Sequence, residues 1–185
     1  MLSYVGVPKV SWTLRRTRHE IQIIGDSNLR SFFRIPTIHH SVAVHSYSGA
    51  RAIHIHQICR QEVMHGMIQH HVRHVVINIG INHRCQRRTT SMHQVGKAMC
   101  QLKALFPAAT IYWPLADIAP CLSDEQKQNL EDFNTTLRRA GRVERRLNLL
   151  PLLDPDLFHT DDEGVHWRRD TPLHQYQRFT RAFLD

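Results

Sequence analysis

Five short runs rich in Ile, Val and Leu, at 20–24, 41–45, 73–79, 110–114 and 147–150, are separated by stretches whose apolar residues recur at helical spacing. Brief apolar runs bounded by turn residues fit buried strands, whereas apolar positions three and four apart fit amphipathic helices. The helical pattern covers 50–70, with Ile53, His56 or Gln57, Met64 and Met67 roughly in step, and 91–106, with Val95, Ala98, Met99, Leu102, Leu105 and Phe106 on one face. A long charged helix follows from Ser123 through Leu130, Phe133 and Leu137, and a last one begins at Thr171-Pro172 and carries Leu173, Tyr176, Phe179 and Phe183. Ser91-x-x-Gln94 and Ser123-x-x-Gln126 match the capping box, and Pro107 stops the second helix. Strands that alternate with helices pair in parallel and bury both sheet faces under the helices. The pattern therefore predicts an α/β chain, a three-layer α/β/α flavodoxin-like fold around a five-stranded, mostly parallel sheet. At 185 residues and 42% apolar content the chain suits one domain with a substantial core. That domain is expected over residues 20–185, after a basic, aperiodic arm or linker at 1–19.

Three of the expected strands end in fragments that carry chemistry. The first runs into Gly25-Asp26-Ser27-Asn28, the second into Ser48-Gly49-Ala50-Arg51, and the third into Asn78-Ile79-Gly80-Ile81-Asn82. Gly-Asp-Ser is also ordinary turn and helix-cap chemistry, so the first fragment alone decides little. Its company decides more, because ligands of open parallel α/β sheets bind outside the carboxyl ends of the strands. A fourth fragment, Glu163-Gly164-Val165-His166-Trp167, lies just before the last helix. Together the four resemble the SGNH (GDSL-like) hydrolase family, whose name gives these residue types in this order.

That resemblance implies acyl transfer. A serine hydroxyl becomes a competent nucleophile when an imidazole takes its proton and a carboxylate fixes the imidazole. It assigns Ser27 as nucleophile and His166 as base, with an oxyanion hole of the Ser27 and Gly49 backbone N–H groups and the Asn82 side-chain amide. The family carries Asp three residues before the histidine; Glu163 holds that position here, with Asp162 as the alternative acid and a backbone carbonyl as a third option. A second departure is His83, where the family often has Asp. The implied activity is hydrolysis of short-chain, acetyl-like carboxylic esters without metal or organic cofactor, on a small ester substrate. A narrower resemblance, over about residues 20–184, is to the SGNH esterase-like domains of vertebrate genomes, including those associated with LINE-type retrotransposon first open reading frames. Ile24-Gly25-Asp26-Ser27-Asn28-Leu29, Tyr112-Trp113-Pro114-Leu115, the 149–154 segment and Val165-His166-Trp167 carry it.

Charge divides the chain. Up to residue 116, fourteen Lys and Arg face only Glu20, Asp26 and Glu62, and the remainder is slightly acidic; the sum is +8. Most of the positive charge is arginine, which suits phosphate or carboxylate contacts. Nucleic acid contacting the basic two thirds is thus a possible partner, and a catalytically silent module binding nucleic acid or a protein is the alternative to the enzyme. Solvated surface is the plainer account of the same charge. Cys59, Cys85, Cys100 and Cys121 lack paired spacing, which argues for reduced thiols. His54-x-His56 and His70-His71-x-x-His74 have ligand-like spacing without a completing Cys or carboxylate set, so no metal site is expected. With no apolar run of bilayer length and no continuous apolar N-terminal stretch, an intracellular, cytoplasmic chain without a membrane span is expected.

Overall fold

The computed structural model describes residues 14, 17–36, 38–85 and 92–184. Five strands form one sheet in the order β2-β1-β3-β4-β5, every neighbouring pair parallel. They are β1 (Ile21–Gly25), β2 (Val42–Ser46), β3 (His74–Asn78), β4 (Thr110–Pro114) and β5 (Leu147–Leu150). Each lies within one or two residues of its expected position. Four helices alternate with them: α1 (Ala52–Met64), α2 (Met92–Leu105), α3 (Asp124–Val143) and α4 (Thr171–Leu184).

Successive strand residues point to opposite faces, and both faces are covered. Ile24, Val75, Ile77, Ile111, Trp113 and Leu147 join the core shared with α1, α2 and α3. Ile21, Ile23, Val42, Val76, Tyr112 and Leu150 face the other way, against Leu29 and Phe32 of a 3-10 segment (Ser27–Arg34) and Tyr176 and Phe179 of α4. This is the three-layer α/β/α arrangement.

The expected cap of α3 is present: Gln126 N–H donates to Ser123 Oγ at 3.3 Å, and Ser123 N–H donates to Gln126 Oε1 at 3.1 Å. Ser91, the expected cap of α2, lies outside the described residues. The helix expected over 50–70 stops at Met64, because Gly66 takes a left-handed φ of +69° and its N–H closes on the Val63 carbonyl. Of the basic arm expected at 1–19, Leu14 is buried beside Glu62, which accepts its N–H, and Thr17 accepts a 2.7 Å bond from Gln22 of β1. The rest of that arm, apart from residues 18 and 19, falls outside the described residues.

Hydrogen bonds beyond the strand ends fix the loops that matter. Asp26 N–H donates to Asn78 O at 3.2 Å, Tyr47 N–H to Gly25 O at 2.8 Å, and Ser46 Oγ to Asp26 O at 2.8 Å. The chain segments leaving β1, β2 and β3 are thereby stitched to one another at one edge of the sheet. Gly25 permits this closeness, since a Cβ there would stand 2.4 Å from Asn78 O.

Candidate active site

Ser27 opens the 3-10 segment directly after β1, half-buried, with Asp26 as its cap: the Asp26 carboxylate accepts Asn28 N–H at 3.0 Å. Asp26 itself is buried. Burial pushes its carboxyl up to about 7, against the opposing pull of the Asn28 N–H and the nearby His166 and Arg84.

The next residue makes the connection to the far end of the sequence. Asn28 Nδ2 donates to Val165 O at 3.0 Å, and its Oδ1 accepts Trp167 N–H at 3.2 Å. One buried amide therefore grips both neighbours of His166 and sets that residue beside the Ser27 turn. Sequence reasoning passed over Asn28, although its place directly after the candidate nucleophile was the available signal.

His166 sits in a tight hairpin. Thr160 and Trp167 form an antiparallel bridge, Asp161 N–H donates to His166 O at 2.9 Å, and Gly164 N–H closes a turn on Asp161 O at 2.9 Å. This register puts Asp161 opposite His166, and their side chains meet with Nδ1 and Oδ2 at 2.8 Å. The other carboxylate oxygen of Asp161 accepts Val165 N–H at 2.8 Å and His166 N–H at 3.2 Å. Partial burial works to raise the Asp161 pKa, but these N–H donors and the imidazole together hold it below the usual carboxylate value.

The carboxylate touching the imidazole is thus Asp161, in place of the expected Glu163 or Asp162. The physical reason is the turn: residues 162 and 163 occupy its exposed corner, and neither carboxylate bonds the ring among the described residues. Gly164 completes the corner at φ +72°, packed so that a Cβ would stand 2.9 Å from Leu122.

The remaining expected residues gather at the same edge. Gly49 follows β2 with φ +73°, a conformation that favours glycine. Asn82 Nδ2 donates to Ala50 O at 3.1 Å, which brings the amide alongside Gly49 and leaves it a second N–H. Neither Ser27 nor Gly49 has an acceptor for its backbone N–H among the described residues. Such open donors are what an oxyanion site requires. His83 is buried, stacked on Phe133 at 4.1 Å, with Nε2 accepting Ala52 N–H at 3.4 Å; an imidazole here caps α1. A cavity of about 30 Å³ is lined by Asp26, Asn28, Gly80, Leu115, Val165 and Trp167 among others, so the chain neighbours of Ser27 and of His166 share it.

Of the histidines with ligand-like spacing, His54 Nδ1 accepts Arg51 N–H at 3.1 Å, and His74 stacks on Phe183 at 4.7 Å. No group of three or more metal-ligating side chains occurs among the described residues. No helix among them is long and apolar enough to cross a membrane.

No family model matches the chain, and no curated protein matches it in sequence. Solved structures do. A member of the lipolytic protein G-D-S-L family from Veillonella parvula superimposes with a TM-score of 0.64 at 13% identity, over 89% of this chain and 98% of that one. The fold is that of the SGNH hydrolases. A lipase/acylhydrolase from Enterococcus faecalis shares it, with a TM-score of 0.60 at 13% identity over 89% of this chain and 94% of its own. So does Axe2 (in its W215I form), an acetyl xylan esterase from Geobacillus stearothermophilus, with a TM-score of 0.61 at 13% identity over 89% and 96% of the two chains. At such identity the likeness establishes architecture alone.

Proposed function

We propose that the chain is a serine esterase that hydrolyses short-chain, acetyl-like esters through an acyl-serine intermediate. The observation that carries this reading is the Asp161–His166 pair, held beside Ser27 by Asn28 at the carboxyl edge of the sheet. Asp161 fixes the His166 tautomer with the proton on Nδ1, which leaves Nε2 to take the Ser27 proton as Oγ bonds the acyl carbon. The Ser27 and Gly49 N–H groups and the Asn82 amide receive the charge that develops on the carbonyl oxygen. His166 then returns its proton to the departing alkoxide, and water repeats the sequence to free the acid. Every step uses side chains, backbone and water. Folds shared with an acylhydrolase and an acetyl xylan esterase support a short acyl group.

Labelling by a fluorophosphonate probe tests the reading. The native chain is expected to label and the Ser27→Ala chain to remain unlabelled; a folded native chain that fails to label would overturn it.

A second reading, a catalytically silent module on nucleic acid, is favoured by Arg30, Phe33 and Arg34, all exposed on one short segment, Phe33 by 69%. The narrower resemblance to LINE-associated domains belongs with it. Its signature is binding to single-stranded RNA that weakens steeply with salt as counterions are released, in a chain that does not label.

A further inference from the structure

Trp167 has two sides. One faces the small cavity that it lines with Asp26, Asn28 and Val165; the other walls a separate groove of about 360 Å³ bounded by the end of the 3-10 segment and the start of α4. Arg34, Arg168 and Arg169 line that groove, with Ser31, Ile35 and Leu173 between them. All three guanidinium groups belong to exposed residues, and among the described residues none is paired with a carboxylate. Asp170 is the single acidic residue on the lining, so the groove is positive by two charges. The first turn of α4 adds the positive end of its dipole. Arg169 is also the one described non-glycine residue with a left-handed backbone, at φ +50°. Such conformations persist where surrounding structure enforces them, and they concentrate at ligand sites.

We propose that this groove receives the alcohol half of the ester and that this half bears a phosphate. The inference rests on the esterase reading. Direction follows from the chemistry: the acyl oxygen points to Gly49 and Asn82, whereas the departing oxygen is the atom His166 protonates. The alcohol therefore extends past His166, and the next residue, Trp167, leads into the groove. Guanidinium forks match phosphate oxygens bidentately. Trp167, steadied by Phe32 at 5.8 Å, offers its ring to the carbon skeleton between ester and phosphate. In the reaction Ser27 Oγ gains the acyl group, the acyl C–O bond breaks, and the alcohol leaves with a proton from His166. The phosphate is held and chemically unchanged.

The experiment compares two acetyl esters, 4-acetoxyphenyl phosphate and the neutral 4-methoxyphenyl acetate, together with calorimetric binding of phenyl phosphate to the Ser27→Ala chain. The native chain is expected to prefer the phosphorylated ester at least ~10-fold in kcat/KM at low salt, a preference that shrinks as salt screens the charges. In the Arg34→Gln/Arg168→Gln chain the ratio is expected to fall to about one, and phenyl phosphate binding to disappear, with the thermal unfolding transition retained. Cleavage of both esters without preference, and no phenyl phosphate binding, overturns the proposal and leaves the esterase reading standing. Arginine-dependent phenyl phosphate binding in a chain that cleaves neither ester supports the phosphate site and sinks the esterase reading. If the double variant unfolds, Arg169→Gln alone carries the same comparison, and an unchanged ratio there with unchanged binding overturns the proposal.

Discussion

A single amide connects the two ends of the candidate site. Because Asn28 both donates to Val165 and accepts from Trp167, Asn28→Ala removes one buried and one partly buried hydrogen bond and frees the segment that carries His166. The expected cost is about 2–3 kcal/mol in chemical unfolding. Under the esterase reading a fall in kcat of ~10–10² with little change in KM is also expected, since a small displacement of His166 is amplified in the rate. Asp161→Asn should lower kcat by ~10²–10⁴, while Glu163→Gln and Asp162→Asn leave it close to native. A large loss in Glu163→Gln would return the acid to the position expected from sequence. Asp26 provides a pH test. Its carboxyl ionises at about 7 in the folded chain against an ordinary value of 3.8, so between those values the folded state binds more protons than the unfolded one. Stability from this residue is complete at low pH and declines as pH rises towards 7, by at most about 4 kcal/mol. Unfolding free energies at pH 4.5 and 7.5 should therefore diverge more for the native chain than for Asp26→Asn.

At the scale of elements, the hairpin before α4 explains what the sequence could and could not disclose. That Ser27, Gly49, Asn82 and His166 would gather at one edge of the sheet was legible because each follows a strand or precedes a helix that announces itself by apolar periodicity. Asp161 was not, because counting residues back from His166 presumes a turn length, and pairing across a hairpin depends on register. Three consecutive acidic residues, Asp161, Asp162 and Glu163, differ in role only through the turn that closes on Gly164. Gly66, which stops α1, was legible in principle, since a left-handed glycine is a common helix terminator. Gly164→Ala is expected to destabilise the chain by about 1–3 kcal/mol, because it combines a left-handed φ with a close contact at Leu122. Loss of fluorophosphonate reactivity in excess of that expected from unfolding would show that the hairpin register is what sets His166.

Across the whole molecule, the parallel order of the sheet followed from alternation alone, whereas the polar cluster that closes its carboxyl edge did not. Asp117 Oδ1 accepts Leu153 N–H at 2.7 Å, and Oδ2 accepts from Gln175 at 2.6 Å and Arg178 at 2.8 Å. Arg178 also donates to the carbonyls of Leu115 and Leu150. The Asp117 and Arg178 side chains are 9% and 8% exposed. Removing one partner strands the other, so Asp117→Ala is expected to cost about 3–5 kcal/mol in urea unfolding, and Asp117→Ala/Arg178→Met less than the sum of its parts. The Asn28 bridge has a consequence in time as well as in space. Its two contacts close loops of 137 and 139 residues, so the amide has nothing to grip until the hairpin has been made. On a ribosome, the serine turn would emerge well before the hairpin and wait for it, without the segment that carries His166. A chain released short of the hairpin would lack the bridge, and under the esterase reading its gain of fluorophosphonate reactivity would report that synthesis had passed Trp167.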